Sequence, residues 1–251
     1  MLTERVTVSV VSHGQAPLAK VLLEQLDALC ADDIEVILTC NIPEPLDFTE
    51  RDFRYPLRIV HNSVRAGFGA NHNAAARLVE TRWFCVCNPD IRLKDNPFHR
   101  LVAALETEGF GVVAPRIVNP SGGDEDNARR FPTVPSLLRK ALGIAPRLDY
   151  RLGDEMLHPD WVAGMFMLCD ISTFRSIDGF DDRFFLYYED VDLCRRLRLA
   201  GQDIGLLGSV KVIHDARRES HRNLRYLRWH ARSMALYLVT SGFGWRLPRP
   251  R

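Results

Sequence analysis

No apolar run in the 251-residue chain approaches the roughly 18–20 residues that a membrane-spanning helix needs. Its opening, MLTERVTVSVV, has early charge but neither a long apolar stretch nor a small-residue cleavage site, so no secretory leader is expected. A net charge of only +1 argues against whole-molecule affinity for a strongly charged partner. The cysteines at 30, 40, 85, 87, 169 and 194 lack metal-finger spacing. Cys85 and Cys87, two apart, would share one side of a strand as small core residues. Internal repeats and low-complexity segments are also missing. The expectation is a soluble cytoplasmic protein with reduced thiols, in one or two domains.

What is present is an alternation. VTVSVVS (6–12), IEVILTC (34–40), LRIVHN (57–62), WFCVC (83–87) and GVVAP (111–115) read as strands rich in β-branched and aromatic residues. Between them, 16–30 carries Leu18, Val21, Leu22, Leu26 and Leu29 at helical spacing, and helices are expected near 70–79 and 97–108. Nearly continuous apolar strands alternating with helices predict a parallel α/β sheet covered on both faces. Residues 119–160 break the rhythm. They are polar and rich in Gly and Pro, which predicts a long surface loop or lid with one short helix at 136–142. Order returns with a strand over 161–170, a helix over 189–200 ending at Gly201, a strand VKVIH (210–214) and an amphipathic helix over 221–241.

Four stretches could carry chemistry. CVCNPDI (85–91) ends an apolar strand in Asn88-Pro89-Asp90, where ligands of open α/β sheets gather. Asn and Asp are hard oxygen ligands for Mg²⁺ or Mn²⁺, although Asn-Pro-Asp also makes ordinary turns. FFLYYEDVDLCRRL (184–197) sets Glu189, Asp190 and Asp192 directly behind four aromatic rings. On a helix, Asp192 faces Arg195 and Arg196, whereas Asp190 heads the stripe of Cys194 and Leu197 and would aim into a cleft. Acids also suit a helix's first turn, which is the plainer reading of all three. His214 ends VKVIH as either a metal ligand or a surface residue. NSVRAGFGANHNAAA (62–76) lacks the third glycine of a dinucleotide loop and the Gly-Lys pair of a P-loop. A helix N-terminus beside Arg65 could still hold a pyrophosphate.

In this order and spacing the stretches resemble family-2 glycosyltransferases of the GT-A fold, and more narrowly bacterial rhamnosyltransferases of cell-surface polysaccharide assembly. The resemblance covers about residues 6–240. It is carried chiefly by GFDDRFFLYYEDVDLCRRLRLAG (179–201), with WVAGMFML, NPD and VKVIH at the expected distances. It implies a Rossmann-like, mostly parallel sheet covered by helices, with a C-terminal amphipathic helical segment. Residues 1–215 would be the catalytic domain: 1–118 a nucleotide-sugar half, 119–160 a lid, and 161–215 an acceptor and catalytic half. Residues 216–251 would be a basic extension.

The resemblance also implies roles. Asp90, helped by Asn88, and His214 would hold Mg²⁺ or Mn²⁺ on the donor diphosphate. Asp190 would be the base, with Glu189 as neighbour or substitute. Gly164 would lie where donor sugar and acceptor meet, and Arg65, Gly67 and Asn71 would touch the nucleotide-sugar. The family's acidic turn after the second strand is replaced here by Cys40-Asn41, which leaves Asn41, Ser12 and His13 to recognise base and ribose. The implied reaction is inverting transfer of a sugar from dTDP-L-rhamnose, or from a UDP-sugar, to a lipid-linked glycan acceptor. An inactive glycan-binding homologue is the alternative from another class.

From 216 to 251 there are nine arginines against one acid, Glu219. Interleaved with Leu224, Leu227, Met234 and Leu238, they suit an anionic membrane surface on the inner face of the cell membrane. Packing on the catalytic domain, or on a second subunit of a homo-oligomer, is the equal alternative. The apolar stripe argues against nucleic acid.

Overall fold

The computed structural model describes residues 2–144, 148–215 and 224–242. In chain order the first half comprises β1 (Val6–Ser12), α1 (Ala16–Cys30), β2 (Ile34–Cys40), β3 (Leu57–His61), α2 (Phe68–Ala76), β4 (Trp83–Cys87), β5 (Ile91–Arg92), α3 (Phe98–Glu108) and β6 (Phe110–Val118). The second half adds β7 (Ala128–Arg129), α4 (Val134–Ala141), β8 (Met156–Leu157), β9 (Trp161–Val162), β10 (Phe166–Asp170) and α5 (Ile171–Ser176). It closes with α6 (Glu189–Leu199), β11 (Asp203–His214) and α7 (Leu224–Thr240).

Among the described residues the main sheet has nine strands, ordered β3-β2-β1-β4-β10-β6-β11-β5, with β8 pairing β11. The pairs β1/β2, β1/β4, β2/β3 and β6/β11 are parallel. The sheet is therefore mostly parallel, as the alternation predicted, but β10 runs antiparallel between β4 and β6. The cause is the 119–160 excursion. It leaves β6 at the carboxyl edge of the sheet and brings the chain back at that same edge, without the crossover that a parallel strand needs.

Side-chain alternation divides the core. Val8, Val10, Cys85, Cys87 and Leu168 meet Leu22, Leu23 and Leu26 of α1 and Leu101 and Leu105 of α3. On the other face Ile37, Phe84, Val86 and Met167 meet Phe174 of α5 and Val191, Leu193 and Leu197 of α6. Cys85 and Cys87 share one side, as expected, and all six cysteines are unpaired and buried. The buried stripe of α1 centres on Leu22, Leu23 and Leu26, leaving Val21 and Leu29 partly exposed at its flanks.

Two elements differ in extent from expectation. The strand expected over 161–170 is split: β9 pairs β7 in a small separate sheet, and β10 joins the main one. The strand expected at 210–214 begins at Asp203. Gly205 and Gly208 look like breakers in the sequence but sit inside β11, where Phe110 and the backbone of Gly153 and Glu155 leave no room for a side chain.

The described part of the C-terminal helix is built into this fold. Tyr237 is 1% exposed and packs on Tyr188, with ring centroids 5.5 Å apart. Ser233 Oγ donates to the Leu186 carbonyl at 2.9 Å, Trp229 stacks on Phe185 at 4.8 Å, and Arg195 donates to the Thr240 carbonyl. Packing on the catalytic domain therefore accounts for the inner face of α7. The arginines expected at 217, 218, 222, 246, 249 and 251 lie outside the described residues. Among the described residues no helix is long and apolar enough to cross a membrane.

Truncating Tyr237 to alanine should therefore cost about 3–5 kcal/mol, the range for a buried aromatic. Val239→Ala, on the exposed side of α7, should change stability by no more than about 0.5 kcal/mol. Urea denaturation of the two variants checks this; equal effects would mean that α7 is not part of the cooperative unit.

Candidate active site

The carboxyl ends of β1, β2 and β4, the α2 and α6 N-termini and the loop after β6 enclose a cleft of about 1130 Å³. Sheet register creates one of its corners. The antiparallel pairing of β5 with β11 sets Ile91 opposite His214, so Asp90 and His214 meet despite their separation in sequence. His214 Nε2 lies 3.3 Å from Asp90 Oδ2. After β6 the chain turns on Asn119, whose Oδ1 accepts from the N–H groups of Ser121 and Gly123, and returns along β6 so that Glu125 N–H donates to the Ile117 carbonyl. That return places Glu125 Oε2 2.7 Å from His214 Nδ1. Burial opposes charging of His214, but Asp90 and then Glu125 outweigh it and raise its pKa.

The opposite corner is made by α6. The backbone enters it through two consecutive left-handed residues, Tyr187 (φ 70°) and Tyr188 (φ 67°), which reverse the chain and leave Glu189 and Asp190 in the helix's first turn. Asp190 Oδ2 accepts from Gly164 N–H at 3.0 Å, and Oδ1 accepts from Val191 N–H at 2.8 Å. Gly164 lies in the break between β9 and β10, so the interruption of that strand supplies the donor. Burial pushes the Asp190 carboxyl above the usual aspartate range, while the two N–H groups and the charge of Arg129 hold it back. Glu189 has less help, only its own backbone N–H opposing the shift. It is buried, its Oε2 is without a hydrogen-bond partner, and burial followed by the Asp190 charge pushes its pKa well up. Burial thus favours the protonated form at Glu189, whereas the donors around Asp190 favour its ionised form. Asp192 is paired instead with Arg196 at 2.7 Å, the helix ion pair expected of it.

Asn41, Arg65, Asn71, Asn88, Asp90, Gly164, Glu189 and Asp190 all line the cleft. Three other expected residues stand behind its wall. Ser12 is fully buried and its Oγ accepts from Gln15 N–H, so it holds the turn after β1; His13, its neighbour, reaches the cleft. Gly67 packs against the backbone of Phe185, where a Cβ would lie 2.7 Å from the carbonyl oxygen. His214 approaches the cleft through Asp90. The Asn41 amide is also committed elsewhere: it donates to the Ala66 carbonyl and accepts from Ala66 N–H, clamping the 62–67 loop. Asn71 repeats the device, donating to the Gly67 carbonyl and accepting from Asn62. Arg65, held against the rings of Phe185 (5.4 Å) and Trp229 (4.9 Å), brings positive charge to this wall.

Sequence reasoning missed Glu125, Arg129 and Tyr226, which also line the cleft. The first two lie in the polar stretch read only as a lid, and nothing in GGDEDNARR distinguishes an acid that faces His214 from its neighbours.

The Asp90–His214 corner suits a divalent cation. Asp90 Oδ1 is buried without a hydrogen-bond partner, an imidazole nitrogen stands beside the carboxylate, and Glu125 fixes that ring from its other nitrogen. Among the described residues no group of three or more His, Cys, Asp or Glu side chains is gathered as a ready-made cage. A cation here would take its remaining ligands from a bound phosphate and water, which is how Mg²⁺ is commonly held.

A Glu189→Gln variant tests the proton assignment. A carboxyl whose pKa is raised by folding contributes stability at low pH that is lost as pH rises through the raised value. Wild type and variant should thus unfold at similar urea concentrations near pH 5. The variant should gain on wild type as pH rises, by at most about 1.4 kcal/mol per pH unit for one proton. A constant difference from pH 5 to 9 would place the proton elsewhere.

Comparison with known proteins identifies the family and the fold. The profile of Glycosyl transferase family 2 matches residues 7–158. The chain is 28% identical to rhamnosyltransferase WbbL of Escherichia coli (strain K12), over 93% of this chain and 92% of that protein. It is 27% identical to an N-acetylglucosaminyl-diphospho-decaprenol L-rhamnosyltransferase of Mycobacterium tuberculosis (strain CDC 1551 / Oshkosh), over 97% and 87%. Among solved structures it is similar to a mannosyltransferase from Pyrobaculum calidifontis in complex with GDP-Man and Mn²⁺. The TM-score is 0.66 at 15% identity, covering 99% of this chain and 67% of that one. It also resembles GalNAc-T7 with UDP, GalNAc and Mn²⁺ (TM-score 0.66, 14% identity), covering 86% of this chain and 44% of that one. Matched by the profile over more than half its length, the chain belongs to glycosyl transferase family 2 and is a glycosyltransferase of the GT-A fold.

Proposed function

We propose that the enzyme is an inverting rhamnosyltransferase that moves L-rhamnose from dTDP-L-rhamnose to a hydroxyl of a lipid-linked glycan, working at the inner face of the membrane. One observation carries the chemistry: the Asp190 carboxylate, fixed by two backbone N–H groups, shares a cleft with the Asp90–His214 corner. The rhamnosyl donor is supported by relatives of that name along nearly the whole chain. A lipid-linked acceptor is supported by the second relative, whose name specifies a diphospho-decaprenol substrate.

Asp190 takes the proton of the acceptor hydroxyl as that oxygen bonds to the anomeric carbon. The bond from this carbon to the diphosphate oxygen breaks, and the nucleoside diphosphate leaves with the electron pair. A single displacement from the opposite face inverts the centre. Asp90 and His214 would hold Mg²⁺ or Mn²⁺, which when bound would stabilise charge on the leaving diphosphate. Arg65 adds fixed positive charge on the donor side, where stacking limits its motion. Gly164 orients the base through its N–H and leaves space beside it, since a Cβ there would lie 3.3 Å from Phe68 and 3.6 Å from Asp190. Phe185 and Tyr187 also line this part of the cleft.

Calorimetric titration of dTDP and UDP, each with Mn²⁺ and with EDTA, should give metal-dependent binding that favours dTDP. A preference for UDP would retain the mechanism and move the donor to a UDP-hexose or UDP-N-acetylhexosamine. No binding by folded protein would favour an inactive glycan-binding homologue. Asp190→Asn should lower kcat by about 10²–10⁴-fold, the usual share of a general base, with dTDP affinity changed less than about threefold. Because the Asp190 pKa is raised, wild-type kcat/KM should fall as pH drops through that raised value; the variant should lack this limb. Asp90→Ala should remove most of the Mn²⁺-dependent gain in dTDP affinity, and an undiminished gain would exclude Asp90 as a ligand.

A further inference from the structure

The excursion after β6 contains a helix with its apolar side turned outward. In α4, Val134 and Leu138 lie four residues apart on one face, and Leu142 continues that row just past the helix. These three are 38%, 59% and 74% exposed, and Ile144 beyond them is 67% exposed. Of the described α4 side chains, none is buried. A helix of a globular domain normally packs its apolar stripe on the core. Single exposed leucines need no explanation, but four large apolar side chains within one short segment do. The last turn of α4 carries Arg139 on the flank of this row and Lys140 behind it. Lys140 is close enough to His230 of α7 to act on that imidazole, and α7 adds exposed Arg228 and Arg232 to the same region of the molecule.

Apolar side chains beside basic ones suit the interface of an anionic bilayer, where the apolar groups enter the headgroup boundary and the cations meet lipid phosphates. A two-fold contact between copies through the same face would instead bring Arg139, on its flank, close to its own equivalent. We propose that α4 is the membrane-docking element, with Val134, Leu138, Leu142 and Ile144 inserted into an anionic bilayer and Arg139 and Lys140 at headgroup level. A capping box at Thr133 and Ser136 fixes the start of the helix. The preceding strand β7 carries Arg129 on the cleft wall, so a docked α4 holds the cleft mouth near the lipid surface. The value of that placement rests on the proposed lipid-linked acceptor; the docking itself does not.

The test is flotation of the full chain with phosphatidylethanolamine–phosphatidylglycerol vesicles and with pure phosphatidylcholine vesicles. Wild type should bind the anionic vesicles at least about tenfold more tightly, as two basic side chains at the surface imply. Leu138→Glu with Leu142→Glu should lose about tenfold or more in vesicle affinity. Arg139→Glu with Lys140→Glu should abolish the preference for phosphatidylglycerol. Leu227→Glu, on the exposed side of α7, should change binding less than about twofold. As a second measurement, Leu142→Trp should gain fluorescence quenching by brominated phosphatidylglycerol over the parent protein. Unchanged vesicle binding in the double glutamate variant, no added quenching, or a wild-type dimer that the glutamates convert to monomer would each overturn the proposal. Titration with dTDP separates the two ideas. Lost docking with dTDP binding intact refutes the docking alone, whereas absent dTDP binding with docking intact refutes the rhamnosyl-donor reading.

Discussion

The site depends on an unfavourable backbone turn. Tyr187 and Tyr188 both take left-handed conformations, which cost a non-glycine residue about 1–2 kcal/mol each. They persist because neighbours fix the turn from several sides. Phe68 N–H donates to the Phe185 carbonyl at 2.9 Å, and Ser233 donates to the Leu186 carbonyl. The two tyrosine rings both lie against His230, with centroids 5.4 Å away, and Tyr188 packs further on Tyr237. The turn sets where α6 begins, and so aims Asp190 at Gly164. Strain of this kind survives only where surrounding packing over-determines it, and here α2 and α7 supply that packing.

This arrangement gives α7 a role that its charge conceals. The helix is rich in arginine on its exposed side, yet its inner side carries the aromatic and hydroxyl groups that brace the turn into α6. It also brings Trp229 against Arg65, a residue of the opposite wall. One helix thus links the side of the cleft holding the base to the side carrying fixed positive charge.

The sheet makes a second contribution through its edges. β11 is long enough to pair with β6, β8 and β5, and its last residue is His214. Parallel pairing with β6 and antiparallel pairing with β5 bring Glu125 and Asp90 to the two nitrogens of one imidazole. The antiparallel β10 completes the frame, because the break before it leaves Gly164 N–H free to meet Asp190. The irregular features of the fold, namely a split strand, a mixed sheet and left-handed tyrosines, therefore concentrate at the cleft.

Much of this was written in local pattern. Runs of β-branched and aromatic residues located the first four strands and period-3.6 spacing located α1, because both reflect which side chains leave water. The cleft acids Asp90 and Asp190 were legible since ionisable groups beside apolar runs need a reason to be there. The sequence also carried the ion pair of Asp192 with Arg196, which helical spacing alone dictates. Tertiary structure decided what depends on chain return. It turned β10 antiparallel, moved Ser12 and Gly67 behind the wall, spent the Asn41 and Asn71 amides on a loop, and brought Glu125 to His214. It also decided between two basic amphipathic segments, burying the aromatic face of α7 and leaving the apolar face of α4 in the open. Periodicity specifies that a helix has an apolar side; only the packing of the whole chain determines whether another part of it covers that side.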